Sequence, residues 1–213
     1  MLPAATIGGD LYDFVEAPGD RLVILVGDVS GKGVPAALVM AKVISDFRAA
    51  AMRSPSPSAI LEELNAGLVS RTRRGMFVTA ACLALDADSG RVSYADAGHL
   101  PGLWYRQATA VAQPVEAAGG PPLGILAGMQ YPDREFLLGG GDTLLLYTDG
   151  VLEARSPAAA LFGIDRIAEV MCRRLPATAD LIGDILGAVR AHVHGAPLHD
   201  DATLVAVHWR PSS

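Results

Sequence analysis

Cysteine is almost absent. Cys82 and Cys172 are far apart, and neither has the paired spacing of a disulfide framework, a zinc knuckle or a redox motif. Both are therefore expected to be free thiols. Long apolar runs are lacking too: none approaches the roughly 20 residues needed to cross a bilayer, and the first residues lack a basic segment followed by an apolar one. The reading is a cytoplasmic chain without a membrane segment. Positive charge is in deficit, with 17 Lys and Arg against 23 Asp and Glu and a formal net charge of −6. Broad nucleic-acid binding draws its affinity from Lys and Arg neutralising phosphates. A nucleic-acid partner is set aside on that ground, whereas a small or protein-borne phosphate ester is not.

What is present is enough apolar material for one core. The 213 residues are 51% hydrophobic and 19% charged, a composition that fits a single globular domain needing no covalent staple. The glycine-rich Gly8-Gly9-Asp10 follows within a few residues of Met1, so residues 1–213 are read as one domain, the C-terminal part of a longer protein.

Residues 21–27, RLVILVG, form a short β-branched run that stops at Asp28, with Ser30, Gly31 and Gly33 following: a strand feeding a tight loop. Residues 34–52 are apolar on nearly every side, with Pro35 tolerated in the first turn, and predict a buried helix. A Ser-Pro stretch at 54–58 breaks it, and Ile60, Leu61, Leu64 and Leu68 predict a second helix. Residues 77–85, 91–97 and 103–106 read as successive strands of an antiparallel meander, the first two separated by turn chemistry at 86–90. Two further strand candidates, 134–138 and 143–148, flank the glycines at 139–141. Helices at 163–175 and 178–194 then precede a last strand at 203–209. Strands in hairpins and helices in consecutive pairs predict an α+β fold, not a parallel sheet.

Four acidic positions share a setting: Asp10 after two glycines, Asp28 and Asp149 at strand ends, and the pair Asp200-Asp201 beside the last strand. Taken singly, each is better explained as a turn or capping residue. Together they matter, because carboxylates at the mouths of apolar strands must be solvated, capping or held by a cation. If these ends converge, like charges at ~4 Å repel by about 1–4 kcal/mol per pair. An all-oxygen site without Cys or His favours hard ions such as Mg²⁺ or Mn²⁺. Two such ions about 3.5–4 Å apart can polarise a phosphoryl oxygen and acidify water, the chemistry of phosphoester hydrolysis.

The segments GGDLYD (8–13), GDVSGKGVPAALVM (27–40), FVTAACLALD (77–86), YADAGHLP (94–101), GGPPLGI (119–125), YTDGVLEAR (147–155) and HDDATLVAV (199–207) resemble, in order and over nearly the whole chain, the blocks of SpoIIE/RsbU-type bacterial phosphatases. These belong to the metal-dependent, type 2C-like (PPM) protein phosphatases. The resemblance implies a four-layer α-β-β-α sandwich of two antiparallel sheets flanked by helix pairs. It also implies a two-ion Mn²⁺ or Mg²⁺ site held by Asp10, Asp28, the Val29 carbonyl, Asp149 and Asp200, with Asp201 as the alternative in the last block. The implied activity is removal of phosphate from phosphoserine or phosphothreonine on a regulatory protein such as an anti-sigma factor antagonist, by metal-activated water and without a nucleophilic side chain. An upstream sensor or regulatory domain is the expected partner, and a homodimer is compatible with it. The alternative, from a different class, is a phosphatase-fold module without catalysis that signals by binding a partner.

One departure matters. Where the eukaryotic branch has Asp-Gly-His, this chain has Asp28-Val29-Ser30, which leaves the leaving-group acid to a water or Lys32, and no Arg is matched to a phosphate grip. Other candidates weigh less. Gly27 to Gly33 lacks the spacing of a nucleotide-binding loop. His99 reads as a hydrogen-bonding residue at least as well as a catalytic one. His192 and His194 sit on different helix faces. Asp13 could stand behind a ligand or at the surface. Arg71, Arg73 and Arg74 form a basic run best read as a solvated helix end, and a rigid shift of the helix pair following Asp28 would move Val29.

Overall fold

The computed structural model describes residues 8–54, 56–70, 75–116, 119–174 and 180–211. Its strands are β1 (Asp10–Ala17), β2 (Arg21–Val29), β3 (Val78–Asp86), β4 (Arg91–Ala97), β5 (Leu103–Arg106), β6 (Val111–Pro114), β7 (Arg134–Leu137), β8 (Thr143–Tyr147) and β9 (Leu204–His208). Its helices are α1 (Val34–Arg53), α2 (Pro57–Val69), the single turn α3 (Asp149–Leu152), α4 (Ile164–Arg174) and α5 (Leu181–His192). One sheet has the order β1-β2-β3-β4-β7 and the other β6-β5-β8-β9, and all named strand pairs in both are antiparallel.

Central strands are apolar on both faces because each face has its own core. Val23 and Leu25 of β2 and Cys82 and Ala84 of β3 pack against Val43, Phe47, Ile60 and Leu64 of α1 and α2. Their alternates Ile24, Val26, Ala81 and Leu83 meet Leu144, Leu146 and Val207 of the second sheet. Tyr105, Leu145 and Tyr147 turn outward onto Ile167, Met171, Ile185 and Val189 of α4 and α5. Three apolar layers therefore separate four structural ones, helices, sheet, sheet, helices, as the resemblance implied. Local signals start the helices: Ser56 caps α2 by accepting from the Ala59 N–H, with Pro57 in its first turn, and Asp180 accepts from the Gly183 N–H at the start of α5.

Three expectations need correction. The strands at 91–97 and 103–106 are not neighbours in a meander: the chain leaves the first sheet at Gly98, whose positive φ of 67° makes the corner, and β5 pairs with β6 and β8 in the second. The glycine turn at 139–141 likewise carries the chain from β7 in one sheet to β8 in the other, so these two do not form a hairpin. The helix at 34–53 is not buried all round, since Val34, Leu38 and Met52 are exposed. Two strands, β1 and β6, escaped the sequence reading. No helix among the described residues is long and apolar enough to cross a membrane, and both cysteines are free, Cys82 buried and Cys172 exposed.

Candidate active site

The first half of the site is a matter of register. Asp10 lies directly opposite Asp28 in the β1–β2 ladder, and Asp28 directly opposite Thr79 in β2–β3. Side chains alternate, so Asp28 shares the face of Ile24 and Val26, which points between the sheets, and Asp10 opposite it does the same. The strand continues through Asp28 to Val29, two residues beyond the sequence expectation, because it is paired on both sides there. Val29 N–H donates to the Gly9 carbonyl at 3.1 Å. A Cβ on Gly9 would lie 2.8 Å from Asp28 Oδ1 and 2.9 Å from the Val29 carbonyl oxygen. Those two oxygens thus face one small space, which only glycine leaves open.

The second sheet supplies the rest. Thr148, fully buried at the end of β8, donates its hydroxyl to Asp10 Oδ2 at 2.6 Å and accepts the Thr203 N–H at 3.0 Å. That chain of bonds ties the sheets together directly beneath Asp149. The acidic pair before β9 divides. Asp201 is buried and its Oδ2 accepts the Gly9 N–H at 2.9 Å, while a Cβ on Gly8 would strike the same oxygen at 1.9 Å. Asp200 is half exposed, and its Oδ1 accepts from Lys32 Nζ at 3.1 Å and from the Asp201 N–H at 3.0 Å. Gly150 is also obligatory, since a side chain there would collide with the Asp201 carbonyl at 1.8 Å.

Electrostatics show the convergence. The Asp28 carboxyl is pushed up to about 7, first by burial and then by Asp10, Asp149 and Asp200. Asp10 is pushed up to about 6 by burial, a shift that the Thr148 hydroxyl bond opposes and that Asp201 and Asp149 add to. Asp149 is raised by burial and by Asp200. Asp28, Asp10 and Asp149 are thus destabilised in their charged forms first by burial and then by neighbouring acidic groups, a burden that a cation between them would relieve. Among the described residues no three Asp, Glu, His or Cys side chains are gathered closely enough to hold an ion unaided. The donor set fits ions of the Mg²⁺ type all the same, which bind through one or two carboxylates each and complete their shells with backbone or water oxygens.

The remaining candidates are placed as follows. Lys32 stands at the mouth, its proton held more tightly through the hydrogen bond to Asp200. The Gly27–Gly33 segment is a strand end and helix entry with the site's own oxygens in it. Asp13 is an ion-pair partner, accepting from Arg48 Nε at 2.6 Å and Nη2 at 3.0 Å and so joining β1 to α1. His192 Nε2 is 2.9 Å from the Ala160 carbonyl, with its ring edge-on to Phe162. Arg71, Arg73 and Arg74 lie outside the described residues. Thr148 was missed by sequence reasoning, although its place immediately before Asp149 was a signal.

The architecture is that of the PPM phosphatases. The family model for stage II sporulation protein E (SpoIIE) matches residues 18–210, and the chain belongs to that family. It is 32% identical over 209 residues to phosphoserine phosphatase RsbU of Bacillus subtilis, an alignment that takes in 97% of this chain and 61% of RsbU. The structure of the RsbU and RsbW domains of Rv1364c from Mycobacterium tuberculosis superposes with a TM-score of 0.81 at 32% identity, covering 98% of this chain and 57% of that one. The SiaA-PP2C domain of Pseudomonas aeruginosa shares the fold with a TM-score of 0.84 at 22% identity, covering 98% and 83%. The chain thus spans about three fifths of the length of RsbU.

Proposed function

We propose that this domain is a metal-dependent protein serine/threonine phosphatase acting on a phosphorylated regulatory protein of the anti-sigma factor antagonist type. The observation that carries the reading is the meeting of acidic strand ends from both sheets, Asp10 and Asp28 from one and Asp149 and Asp200 from the other: Asp10, Asp149 and Asp200 all raise the proton affinity of Asp28, and Asp149 also raises that of Asp10. Family membership supports it, and so does the activity in the name of RsbU.

Asp10, Asp28, Asp149 and Asp200, with the Val29 carbonyl, would hold two Mn²⁺ or Mg²⁺ ions. When bound, such ions neutralise phosphoryl oxygens and acidify water. Asp201, committed to the Gly9 N–H, serves instead to hold the Gly8-Gly9 backbone against the site. Lys32 places a cation at the mouth where a phosphate would enter, and its tightened proton argues for charge, not proton donation. Retention of every acidic position weighs against a purely binding module. The protein works in the cytoplasm, under an upstream regulatory domain.

The test is phosphate release from a phosphorylated antagonist, titrated with Mn²⁺ and Mg²⁺. Activity should need the metal and collapse in Asp28→Asn and Asp149→Asn; turnover undiminished by a chelator would refute the reading.

A further inference from the structure

His99 is gripped by both sheets. It follows β4 just past Gly98, whose backbone bridges to Ala80 of β3. A side chain on Gly98 would also meet Pro122 at 2.8 Å, so the corner that presents the imidazole is closely set. Nδ1 lies 3.1 Å from Thr79 Oγ1, and Nε2 lies 3.2 Å from the Tyr147 carbonyl oxygen. A carbonyl can only accept, so Nε2 carries a proton. In a neutral ring Nδ1 then accepts, and the Thr79 hydroxyl must donate to it. Burial keeps the ring neutral by pushing its pKa down to about 4.

Both partners stand one step from acidic residues of the site. Thr79 is directly opposite Asp28. Tyr147 ends β8, two residues before Asp149 and one before Thr148, which bonds Asp10. Asp149 raises the proton affinity of Asp28 by repulsion, and the ring joins the two chain segments that carry them, through Thr79 opposite Asp28 and Tyr147 two residues before Asp149. A stiff aromatic spacer hydrogen-bonded at each end resists both their separation and a sideways slip of one sheet over the other.

We infer that His99 is a positioning residue, a neutral Nε2–H imidazole spanning from Thr79 to the Tyr147 carbonyl that sets the separation of Asp28 and Asp149 and thereby the site's affinity for divalent ions. The inference rests on the metal-dependent reading above. It gives His99 no proton-transfer role, since both ring nitrogens are engaged within the protein.

The experiment is calorimetric Mn²⁺ binding to the metal-free full chain, beside Mn²⁺-dependent hydrolysis of p-nitrophenyl phosphate. His99→Leu removes both bonds, Thr79→Val removes one, and His99→Gln retains an N–H able to reach the Tyr147 carbonyl. Outer partners of metal ligands change affinity by roughly 10- to 100-fold. The Mn²⁺ Kd should accordingly rise at least about tenfold in His99→Leu, about threefold in Thr79→Val, and return to within about threefold of the parent in His99→Gln. The kcat at saturating Mn²⁺ should stay near the parent's in all three. An unchanged Kd in His99→Leu, with only a lowered melting temperature, would reduce the residue to a packing role and overturn the inference. So would a collapse of kcat at saturating metal with Kd unchanged, which would put the ring on the substrate. If His99→Leu does not fold, Thr79→Val decides alone: parental Mn²⁺ affinity there overturns the inference. A parent that binds Mn²⁺ but releases no phosphate would defeat the phosphatase reading while leaving the Kd series to judge His99.

Discussion

β8 has an aspartate at each end, and the two are opposites. Asp142, before its first residue, is buried and accepts the Trp104 Nε1–H at 3.0 Å, the Gln107 N–H at 2.8 Å and the Gly139 N–H at 2.9 Å. One carboxylate there is met by three donors, and the corner where β7 hands over to β8 is locked. Asp149, just past the other end, faces Asp200, Asp28 and Asp10. Residue type, strand and sheet are shared; what differs is whether the surroundings supply donors or more negative charge. A charge surrounded by donors stabilises the fold, whereas charges surrounded by each other store a demand for a cation.

The comparison can be broken most directly by neutralising each end. Asp149→Asn or Asp28→Asn should lower metal-dependent phosphate release on the order of 1000-fold, while the melting temperature of the chelated protein holds or rises as repulsion is relieved. A large loss of stability without loss of activity per folded molecule would reverse the roles assigned. Asp142→Ala should do the contrary, costing about 2–3 kcal/mol in urea denaturation because buried N–H groups lose their acceptor, with kcat per folded molecule preserved.

The acidic pair before β9 offers a finer division of the same kind. Asp200→Asn should raise the Mn²⁺ concentration for half-maximal activity at least about tenfold with little change in stability. Asp201→Asn should weaken the Gly9 anchor and lower stability by about 1–2 kcal/mol, which thermal denaturation in chelator would register. The reverse pattern would make Asp201 the ligand.

The smallest effect is on pH dependence. Asp28 titrates near 7 in the folded chain and near 3.8 unfolded, so between those values the folded state holds the extra proton. Stability of the chelated protein should therefore fall as pH rises, opposite to the usual trend for a paired aspartate. The neutral His99, with its pKa of about 4 against 6.5 unfolded, acts in the other direction, and that contribution fades above pH 6.5, where the unfolded imidazole is half protonated. Between pH 6.5 and 8 the Asp28 contribution is the larger: the melting temperature in chelator should decline there, and Asp28→Asn or saturating Mn²⁺ should flatten the curve or turn it upward. A rise across the window in chelator would contradict the crowding at Asp28.

Much of this was legible before any coordinates. The apolar run at 21–27, the turn at 86–90 and the Ser-Pro break at 54–58 are local chemistry, and the elements beside them formed as read. β1 was not seen, because neither face reads as apolar: Asp13 interrupts the inward Leu11, Val15 and Ala17, and the opposite face mixes Asp10 and Glu16 with the exposed Tyr12 and Phe14. The pairing of strands was misjudged where glycines were taken for hairpin turns. A positive-φ glycine permits a sharp reversal or a change of sheet equally well, and the choice rests with the distant strand that awaits the chain.

The sequence alone determined which residues could form the site: acidic positions at strand ends, in blocks that also identify the family, because ligand chemistry and strand propensity are written locally. It could not decide between Asp200 and Asp201, find Thr148 or give His99 a task. Those are opened to test by contacts spanning many residues: Gly9 with Asp201, Asp10 with Thr148, and Thr79 through His99 to Tyr147. Each joins one sheet to the other, and only the packing of the two sheets brings such partners within hydrogen-bonding reach.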